Sequence, residues 1–484
     1  IWGLSRQGMI WEKMLTDSDG QYVEIQSGRM FNQNAVKSTF TPFKHISFAP
    51  YATDAWTEYW YHVSPTKGMV EANANGALNV KYENGLLKIY FSAAQNISDT
   101  LLVKWRNKVV YSKKLQLSPL QVFSDSMKID VNANELQVTL GANKLNYHSS
   151  PGEDVLNRPV STPGNFDWNS AYGLYVQGEE LMDQKMYPEA EIKLTESLKK
   201  DANFLPALVR MAALQYRNML YGDALKTVMR ALQIGTHAGD ANYYYGLINA
   251  QLGNKADAKD GFSLAALTQE YRSAAYTGLA QLYIKEKNYA ATVNYCQKAL
   301  DYNRYNINAL MLQAVALRHL NSDVPFKETL NTILTYDPLN HFARFEKYLA
   351  QPNEITKSAF SDLITNELPH EIYSELAVWY YNATLTAEAE QVFKLSPSSA
   401  EAAFWLAFLN NRKVDCGKID PAFAFPFRSE TAAVLERLLT QQNDWLLKYQ
   451  LALIYKDRNR LEESKKLLEA CGNEPDFAPF YVVR

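Results

Sequence analysis

The stretch Trp445–Gly472 reads "WLLKYQLALIYKDRNRLEESKKLLEACG", with apolar residues at helical spacing on both sides of a polar turn. Small residues stand at positions 8, 20 and 27 of this stretch, which are Ala452, Ser464 and Cys471. Two helices that cross closely need small side chains at such positions. The stretch therefore predicts a pair of packed helices.

The same pattern recurs earlier in the chain with a period of 34 residues, which is the period of the tetratricopeptide repeat. Four consecutive repeats place a small residue at positions 8, 20 and 27 and a large apolar residue or Cys at position 24. These residues are Gly178, Ala212, Gly246 and Ala280; Ala190, Ala224, Ala258 and Thr292; Ser197, Ala231, Ala265 and Ala299; and Leu194, Val228, Phe262 and Cys296. Sixteen positions that obey one period exclude a chance match.

The periodicity continues into a fifth repeat at Phe326 and then loosens. A shortened helix pair contains Ala377 and Ala389, and a further pair is split by the insertion "RKVDCGKIDPAFAF". We expect an all-α solenoid over residues 169–484, with about eight helix pairs and an irregular region near 345–430.

The residues before this solenoid are rich in β patterns. Residues 1–64 contain aromatic-rich strand patterns, and residues 65–148 contain about seven short alternating strands. The run "GALNVKYENGLLKIYFSA" predicts a hairpin that turns at "ENG". The prediction is a small antiparallel, immunoglobulin-like β-sandwich over 65–148, followed by a Pro- and Gly-containing linker over 149–168.

Composition limits the function. The chain has 484 residues and a formal net charge of −3, without a Lys/Arg block that would attract nucleic acid or an anionic membrane. Three widely separated cysteines provide no zinc spacing, and no apolar run approaches the ~20 residues of a membrane span. We therefore predict a soluble protein without metal or other cofactor. The low cysteine content fits the cytoplasm and the periplasm equally well. The opening "IWGLSRQGMIW" reads as the continuation of something upstream.

Three sequence stretches carry a resemblance to a known family: "LTDSDGQYVEIQSGRMFNQN" from Leu15, "WTEYWY" from Trp56 and "FPFRSET" from Phe425. They resemble a bacterial family that joins a galactose-mutarotase-like (aldose 1-epimerase-like) domain of unknown function to C-terminal tetratricopeptide repeats. The resemblance implies that residues 1–64 are the C-terminal part of a mutarotase-like β-supersandwich. Together with the repeats, it predicts a multidomain protein with β domains followed by an all-α solenoid.

The same resemblance assigns Glu24 to the general base of a mutarotase, which removes the proton from the C1 hydroxyl of a sugar. Tyr22, Gln26 and Arg29 would then be neighbours in the sugar pocket. The catalytic acid of mutarotases is a His on an earlier strand, and residues 1–64 have no clear match to it. The alternative is that Glu24 lies on the solvated face of an antiparallel sheet.

Trp56 and Trp60 share one face of an expected final strand by period-two alternation. They are candidate sugar-stacking residues, but aromatic residues of sheets are more often part of the core. The core interpretation is favoured for them.

The inner groove of a tetratricopeptide solenoid offers a second candidate site. Its expected lining includes Tyr172, Tyr175, Glu179, Tyr216 and Tyr243. A groove of tyrosines and aliphatic residues suits an extended peptide or a docked domain. The alternative is that the groove is empty or is filled by the chain's own N-terminal domains. It lacks the Lys/Asn pattern that would clamp a C-terminal carboxylate.

Three hypotheses about function follow. The leading one is carbohydrate recognition by the β part, coupled to protein–protein interaction by the solenoid. The second is an epimerase-like enzyme that uses Glu24 together with upstream residues. The third is an assembly scaffold whose β domains bind no ligand.

Overall fold

The computed structural model of the protein describes residues 48–150 and 164–484, which form two compact units. The β unit contains residues 55–150, and the helical unit contains residues 48–54 together with 164–484. Most of the expected supersandwich and of the expected linker therefore lies outside the described residues.

The β unit is a sandwich of two four-stranded antiparallel sheets, with strand orders β1-β2-β3-β6 and β5-β4-β7-β8. The strands are β1 Glu71–Asn73, β2 Gly76–Glu83, β3 Leu86–Ala93, β4 Ile97–Trp105, β5 Lys108–Leu117, β6 Val122–Lys128, β7 Leu136–Leu140 and β8 Leu145–His148. With β1 as an additional edge strand, the order β2-β3-β6 corresponds to strands A, B and E of an immunoglobulin-like sandwich, and β5-β4-β7-β8 corresponds to strands C′, C, F and G. The strand order therefore agrees with the expected immunoglobulin-like topology.

The expected "ENG" hairpin joins β2 to β3. Asn84 and Gly85 occupy the turn with φ values of 52° and 75°, which match the right-handed twist of the paired strands. Inward-facing residues such as Ile89, Leu101 and Val138 are almost completely buried between the two sheets. The small antiparallel sandwich expected from the alternating pattern is confirmed.

The helical unit contains nineteen α-helices in its described part. They are α1 Ala171–Asp183, α2 Tyr187–Lys200, α3 Leu205–Arg217, α4 Tyr221–Ile234, α5 Gly239–Leu252, α6 Lys255–Ala265, α7 Arg272–Lys285, α8 Tyr289–Tyr302, α9 Ile307–His319, α10 Asp323–Tyr336, α11 His341–Ala350, α12 Glu354–Ser361, α13 Pro369–Asn382, α14 Thr386–Leu395, α15 Ala400–Leu409, α16 Ser429–Leu439, α17 Trp445–Asp457, α18 Leu461–Ala470 and α19 Ala478–Val483. The first eighteen form nine consecutive pairs, and α19 follows the last pair.

The 34-residue period is confirmed by burial, because all sixteen residues that define it are buried. The glycines show why small residues are required. A Cβ atom at Gly246 would lie 2.7 Å from the ring of Phe262, and one at Gly261 would lie 2.7 Å from the backbone nitrogen of Gly246. The two helices of a pair approach each other too closely for larger side chains.

The pair α11/α12 was not expected, so the prediction of about eight pairs falls one short of the nine in the described part. The period of 34 residues places Tyr348 and Phe360 at positions 8 and 20 of this pair, where the rule requires small residues. These short helices pack through aromatic rings instead, with Phe345 and Phe360 at 5.3 Å between centroids. The rule of small residues therefore does not predict α11 and α12.

Residues of the first two helix pairs meet residues of the ninth pair, although they are far apart in the sequence. Arg217, at the end of α3, donates to the Asp457 carboxylate at 3.0 Å, and Asn459 donates to Glu191 at 2.8 Å. The solenoid therefore curves until α2 and α3 reach the turn between α17 and α18. None of the helices in the described part is both long and apolar enough to cross a membrane.

Candidate functional site

The inner faces of the first helices of several pairs surround a cavity of ≈ 250 Å³. Tyr216 of α3, Leu247 of α5 and Gln281 of α7 contribute to its wall, as do Asn308 of α9 and Trp379 of α13. Aromatic, aliphatic and amide side chains thus share one concave surface. Such a lining suits polypeptide, which offers apolar side chains and backbone hydrogen-bonding groups.

A segment of the chain itself, Phe48–Asp54, lies in this concave surface. The Tyr51 side chain is half-buried and packs against the core cluster that contains Tyr243, Phe262 and Leu279. Its hydroxyl lies 3.5 Å from the Gln281 side-chain nitrogen. Burial raises the pKa of the Tyr51 phenol, and the hydrogen bond from Gln281 opposes this shift.

Asn303, which directly follows α8, holds the backbone of the same segment. Its side-chain Nδ2 donates to the carbonyl oxygen of Tyr51 at 2.7 Å and to the Thr53 hydroxyl at 3.0 Å. Its Oδ1 accepts from the backbone N–H of Tyr305 at 3.1 Å, which fixes the orientation of the amide. Asn303 therefore presents a pre-oriented donor to a polypeptide backbone.

Two of the expected groove residues belong to this site. Tyr243 is only 6% exposed and lies 5.8 Å from the ring of Phe262, and burial raises the pKa of its phenol. Tyr216 borders the cavity, and its ring meets that of Tyr221 at 5.5 Å. Burial raises the pKa of Tyr216 as well.

The three expected groove residues of α1 form a separate cluster and do not line the cavity bordered by Tyr216. Tyr172 is exposed and stacks on Tyr175 with 6.3 Å between centroids. Glu179 accepts a hydrogen bond from Nε of Arg210 at 2.9 Å. Burial lowers the pKa of the Arg210 guanidinium, but Glu179 together with Tyr175 and Tyr244 outweighs that effect and raises the pKa above its usual range. The carboxylate expected in the groove is thus already paired.

Lys285 and Glu430 bring opposite charges to the cavity. Glu430 accepts hydrogen bonds from Asn382 at 2.8 Å and from Ser429 at 3.0 Å. The surrounding protein lowers the pKa of the Lys285 ammonium, and the charge of Glu430 opposes that shift. Glu430 belongs to the "FPFRSET" stretch, whose Arg428 bridges two further carboxylates on neighbouring helices.

Sequence reasoning missed Tyr51, Asn303, Gln281 and Lys285. One signal was present: Asn303 stands at position 31 of its repeat, where two other repeats have Asp201 and Asp337. Those aspartates accept from the backbone two residues ahead, as Asn303 does. The amide in place of a carboxylate adds a donor that the local turn does not use.

Trp56 and Trp60 form a different surface feature, in the β unit. Both indole N–H groups donate to the Glu58 carboxylate, at 2.9 Å and 3.3 Å. The two side chains are 50% and 61% exposed, so the interpretation that they belong to the core is wrong. Residues 54–63 are not assigned to a strand, and no strand in the described part of the chain covers these indoles.

The remaining candidate residues, Tyr22, Glu24, Gln26 and Arg29, lie outside the described residues, so their roles stay predictions. In the described part, no group of three or more His, Cys, Asp or Glu residues could hold a metal ion. Cys416 is half-buried, and burial raises the pKa of its thiol to about 12. A protonated thiol is a poor nucleophile at neutral pH.

Comparison with known families identifies one match. Residues 1–63 match the family model described as domain of unknown function DUF5107. The match covers the expected mutarotase-like segment but carries no mutarotase assignment. None of the curated proteins matches the chain significantly.

Several solved structures resemble the helical region at low identity. A tetratricopeptide repeat protein from Parabacteroides merdae is 16% identical over 63% of this chain and 99% of its own, with a TM-score of 0.33. PilF of Pseudomonas aeruginosa is 16% identical over 42% and 96%, with a TM-score of 0.37. PilW, a type IV pilus biogenesis factor, is 14% identical over 46% and 92%, with a TM-score of 0.35. Scores of this size support no argument about function, and the repeat assignment rests on the helices of this chain.

Proposed function

We propose that the helical unit is a protein–protein interaction scaffold that binds polypeptide in its inner groove. One observation carries the proposal: the segment Phe48–Asp54 lies in the groove with both side-chain and backbone contacts. The groove thereby accommodates polypeptide of a specific chemistry. That chemistry is a tyrosine on a tight turn, followed by a residue with a hydroxyl group.

Three contacts of the groove each recognise a different part of the bound polypeptide. The cluster around Tyr243 and Phe262 provides an apolar slot for a tyrosine ring, and burial of an aromatic ring is the largest favourable contribution. The Asn303 amide binds a backbone carbonyl, which any sequence offers. Its second hydrogen bond, to a hydroxyl, favours Thr or Ser two residues after the tyrosine.

The test uses a fluorescent peptide with the sequence of Phe48–Asp54 and the full chain with Tyr51→Ala, in which the groove no longer holds the phenol ring. We expect the peptide to bind, and the same peptide with Ala in place of its tyrosine to bind at least about tenfold more weakly. Fluorescence anisotropy measures both affinities. Absence of binding by the tyrosine peptide would contradict the proposal.

Asn303→Asp in the same background is the sharpest test of the amide. It keeps the oxygen that accepts from Tyr305 and replaces the donating nitrogen, so the local turn should persist. Loss of two hydrogen bonds predicts about a tenfold loss of peptide affinity. Asp337→Asn, the reverse exchange at the equivalent position of the next repeat, is the matched control and should leave binding unchanged.

A second candidate function is carbohydrate recognition by Trp56, Glu58 and Trp60. The supporting observation is that two exposed indoles donate to one carboxylate, so that two aromatic rings and a carboxylate lie together at the surface. Sugar rings offer apolar C–H faces to such surfaces and hydroxyl groups to a carboxylate.

Saturation-transfer NMR with free aldoses and short oligosaccharides tests this candidate. We expect Trp60→Ala to abolish the transfer and Tyr59→Ala, a neighbouring exposed aromatic, to retain it. Equal saturation-transfer signals for both variants would contradict carbohydrate recognition at this surface. The epimerase alternative, which rests on Glu24, requires faster anomer exchange that Glu24→Gln abolishes.

A further inference from the structure

The backbone that carries Tyr51 is strained. The N–H of Ala52 donates to the carbonyl of Ala49 at 2.9 Å, which closes a tight turn with Pro50 and Tyr51 at its centre. Tyr51 has a φ of 54°, in the left-handed region. Proline suits the first central position of such a turn, but a positive φ at the second suits glycine or asparagine. The contacts of Tyr51 in the groove must therefore offset an unfavourable backbone.

Among the described residues, Tyr51 and Thr53 are held by the burial of one ring, by two hydrogen bonds from Asn303 and by a long contact to Gln281. Phe48 remains 56% exposed and adds little burial. Short anchors of this kind separate readily, because few contacts must break at once.

Among the described residues, the segment leaves part of the groove unfilled. The cavity of ≈ 250 Å³ is bordered by Tyr51 and extends to Lys285, Glu430 and Trp379. A second, open cavity of ≈ 550 Å³ runs along the backbone of 49–53, between Tyr302 and Glu270. A longer polypeptide with the same turn could occupy this space and gain contacts that the short segment lacks.

We propose that Phe48–Asp54 is a self-ligand, which occupies the groove until a partner polypeptide with a tyrosine-bearing turn displaces it. This inference rests on the proposed function and adds its regulation. The partner carries a Pro–Tyr turn followed by Thr or Ser, and it extends further along the groove than the self-ligand does. The strain at Tyr51 keeps the self-ligand weak enough to leave.

Displacement has a quantitative consequence. A tethered segment acts at an effective concentration on the order of mM, so it reduces the affinity of every competitor. If it occupies the groove about nine-tenths of the time, the apparent affinity of a partner falls about tenfold. Removal of the Tyr51 ring should abolish this reduction.

The test compares three full-length proteins: the unaltered chain, Tyr51→Ala and the control Tyr59→Ala. The probe is the fluorescent peptide with the sequence of Phe48–Asp54. We expect Tyr51→Ala to bind it about tenfold more tightly than the other two. Hydrogen exchange on the unaltered chain provides a measurement without substitution, because excess unlabelled peptide should speed exchange in residues 48–54.

Each outcome is decisive. Equal affinity for all three proteins, with no change in hydrogen exchange, would overturn the self-ligand and leave the binding function intact. Absence of binding to every form would overturn the function and the self-ligand together. A concentration-dependent dimer that disappears in Tyr51→Ala, seen by analytical ultracentrifugation, would show the turn inserted into a second copy and overturn the intramolecular form.

Discussion

The first four helix pairs, α1 to α8, and the later pairs, α11 to α16, fill their interiors in different ways. The early pairs place Gly, Ala, Ser and Thr where helices cross, and all of these residues are buried. The later pairs bury aromatic rings, including Phe345, Phe360 and Trp405. They also bury the carboxylates of Glu346 and Glu401. Only the early pairs follow a strict 34-residue period.

The buried carboxylates show what the later pairs require. Glu346 is completely buried and accepts from Arg318 at 2.8 Å and from the Tyr380 hydroxyl at 2.7 Å. Burial raises the pKa of Glu346, and the charge of Arg318 opposes that effect. The same guanidinium reaches Glu388 at 3.0 Å and so connects α9, α11 and α14. Close approach stabilises the early pairs, whereas rings and paired charges connect the later ones.

The largest effect is expected from Arg318→Met. This change leaves the Glu346 carboxylate buried without its cation and should lower the free energy of unfolding by about 3–5 kcal/mol. Urea denaturation followed by circular dichroism measures the loss. Arg437→Met, at an exposed position, is the control and should stay within about 0.5 kcal/mol. A loss below about 1 kcal/mol for Arg318→Met would mean that rings alone connect the later pairs.

A smaller effect is expected from Gly261→Ala in the early pairs. The added Cβ would meet the backbone of Gly246 at 2.7 Å and that of Asn242 at 2.9 Å, so the helices must separate. We expect a loss of about 1–3 kcal/mol, measured by thermal unfolding. The matched control, Gly222→Ala, meets no atom within 4 Å and should be neutral or stabilising by up to about 1 kcal/mol. Equal results for both variants would contradict close approach as the cause.

Alkaline pH should lower the stability of the folded protein through the buried tyrosines of the inner groove. Burial raises the pKa of Tyr243 in the folded protein, so the folded state favours the protonated phenol. The resulting stability is present below about pH 10 and is lost as pH rises further. Tyr243→Phe should reduce the loss between pH 10 and 11 by up to about 1.4 kcal/mol. Denaturation at several pH values tests this, with the exposed Tyr59→Phe as control; identical slopes would refute it.

The smallest effect is expected where the two ends of the solenoid meet. Arg217 and Asp457 lie 3.0 Å apart, but the Asp457 side chain is 54% exposed. Asp457→Asn should therefore cost less than about 1 kcal/mol in thermal unfolding. The difference from the unaltered chain should vanish in 1 M salt, because salt screens exposed charges. A large and salt-independent loss would show that closure stabilises the whole solenoid.

Several features could be predicted because they depend on residues close in sequence. The helix pairs follow from small residues at fixed spacing, and the "ENG" hairpin follows from turn residues between two alternating runs. The pair α11/α12 was not predicted, because Tyr348 and Phe360 occupy positions at which the repeat pattern requires small residues. Tyr243 and Tyr216 were expected in the groove because inner-face positions are also set by the period.

The position of Tyr51 could not be predicted in this way. Its contact with Asn303 joins residues that are 252 positions apart, and the tyrosine has no helical or strand pattern around it. The pairing of Glu179 with Arg210 likewise removed a charge that the inner-face position alone assigned to the groove. In both cases the partner belongs to another element.

The sequence by itself determined the repeat period, the order of β and α regions and the faces on which residues lie. These properties follow from local periodicity, because each repeat packs mainly on its immediate neighbours. Only the tertiary structure decided that a strained turn occupies the groove, that the Trp56 and Trp60 indoles are exposed and that the first two helix pairs meet the ninth. Those outcomes depend on the accumulated curvature of the solenoid and on side-chain geometry, which no local pattern encodes.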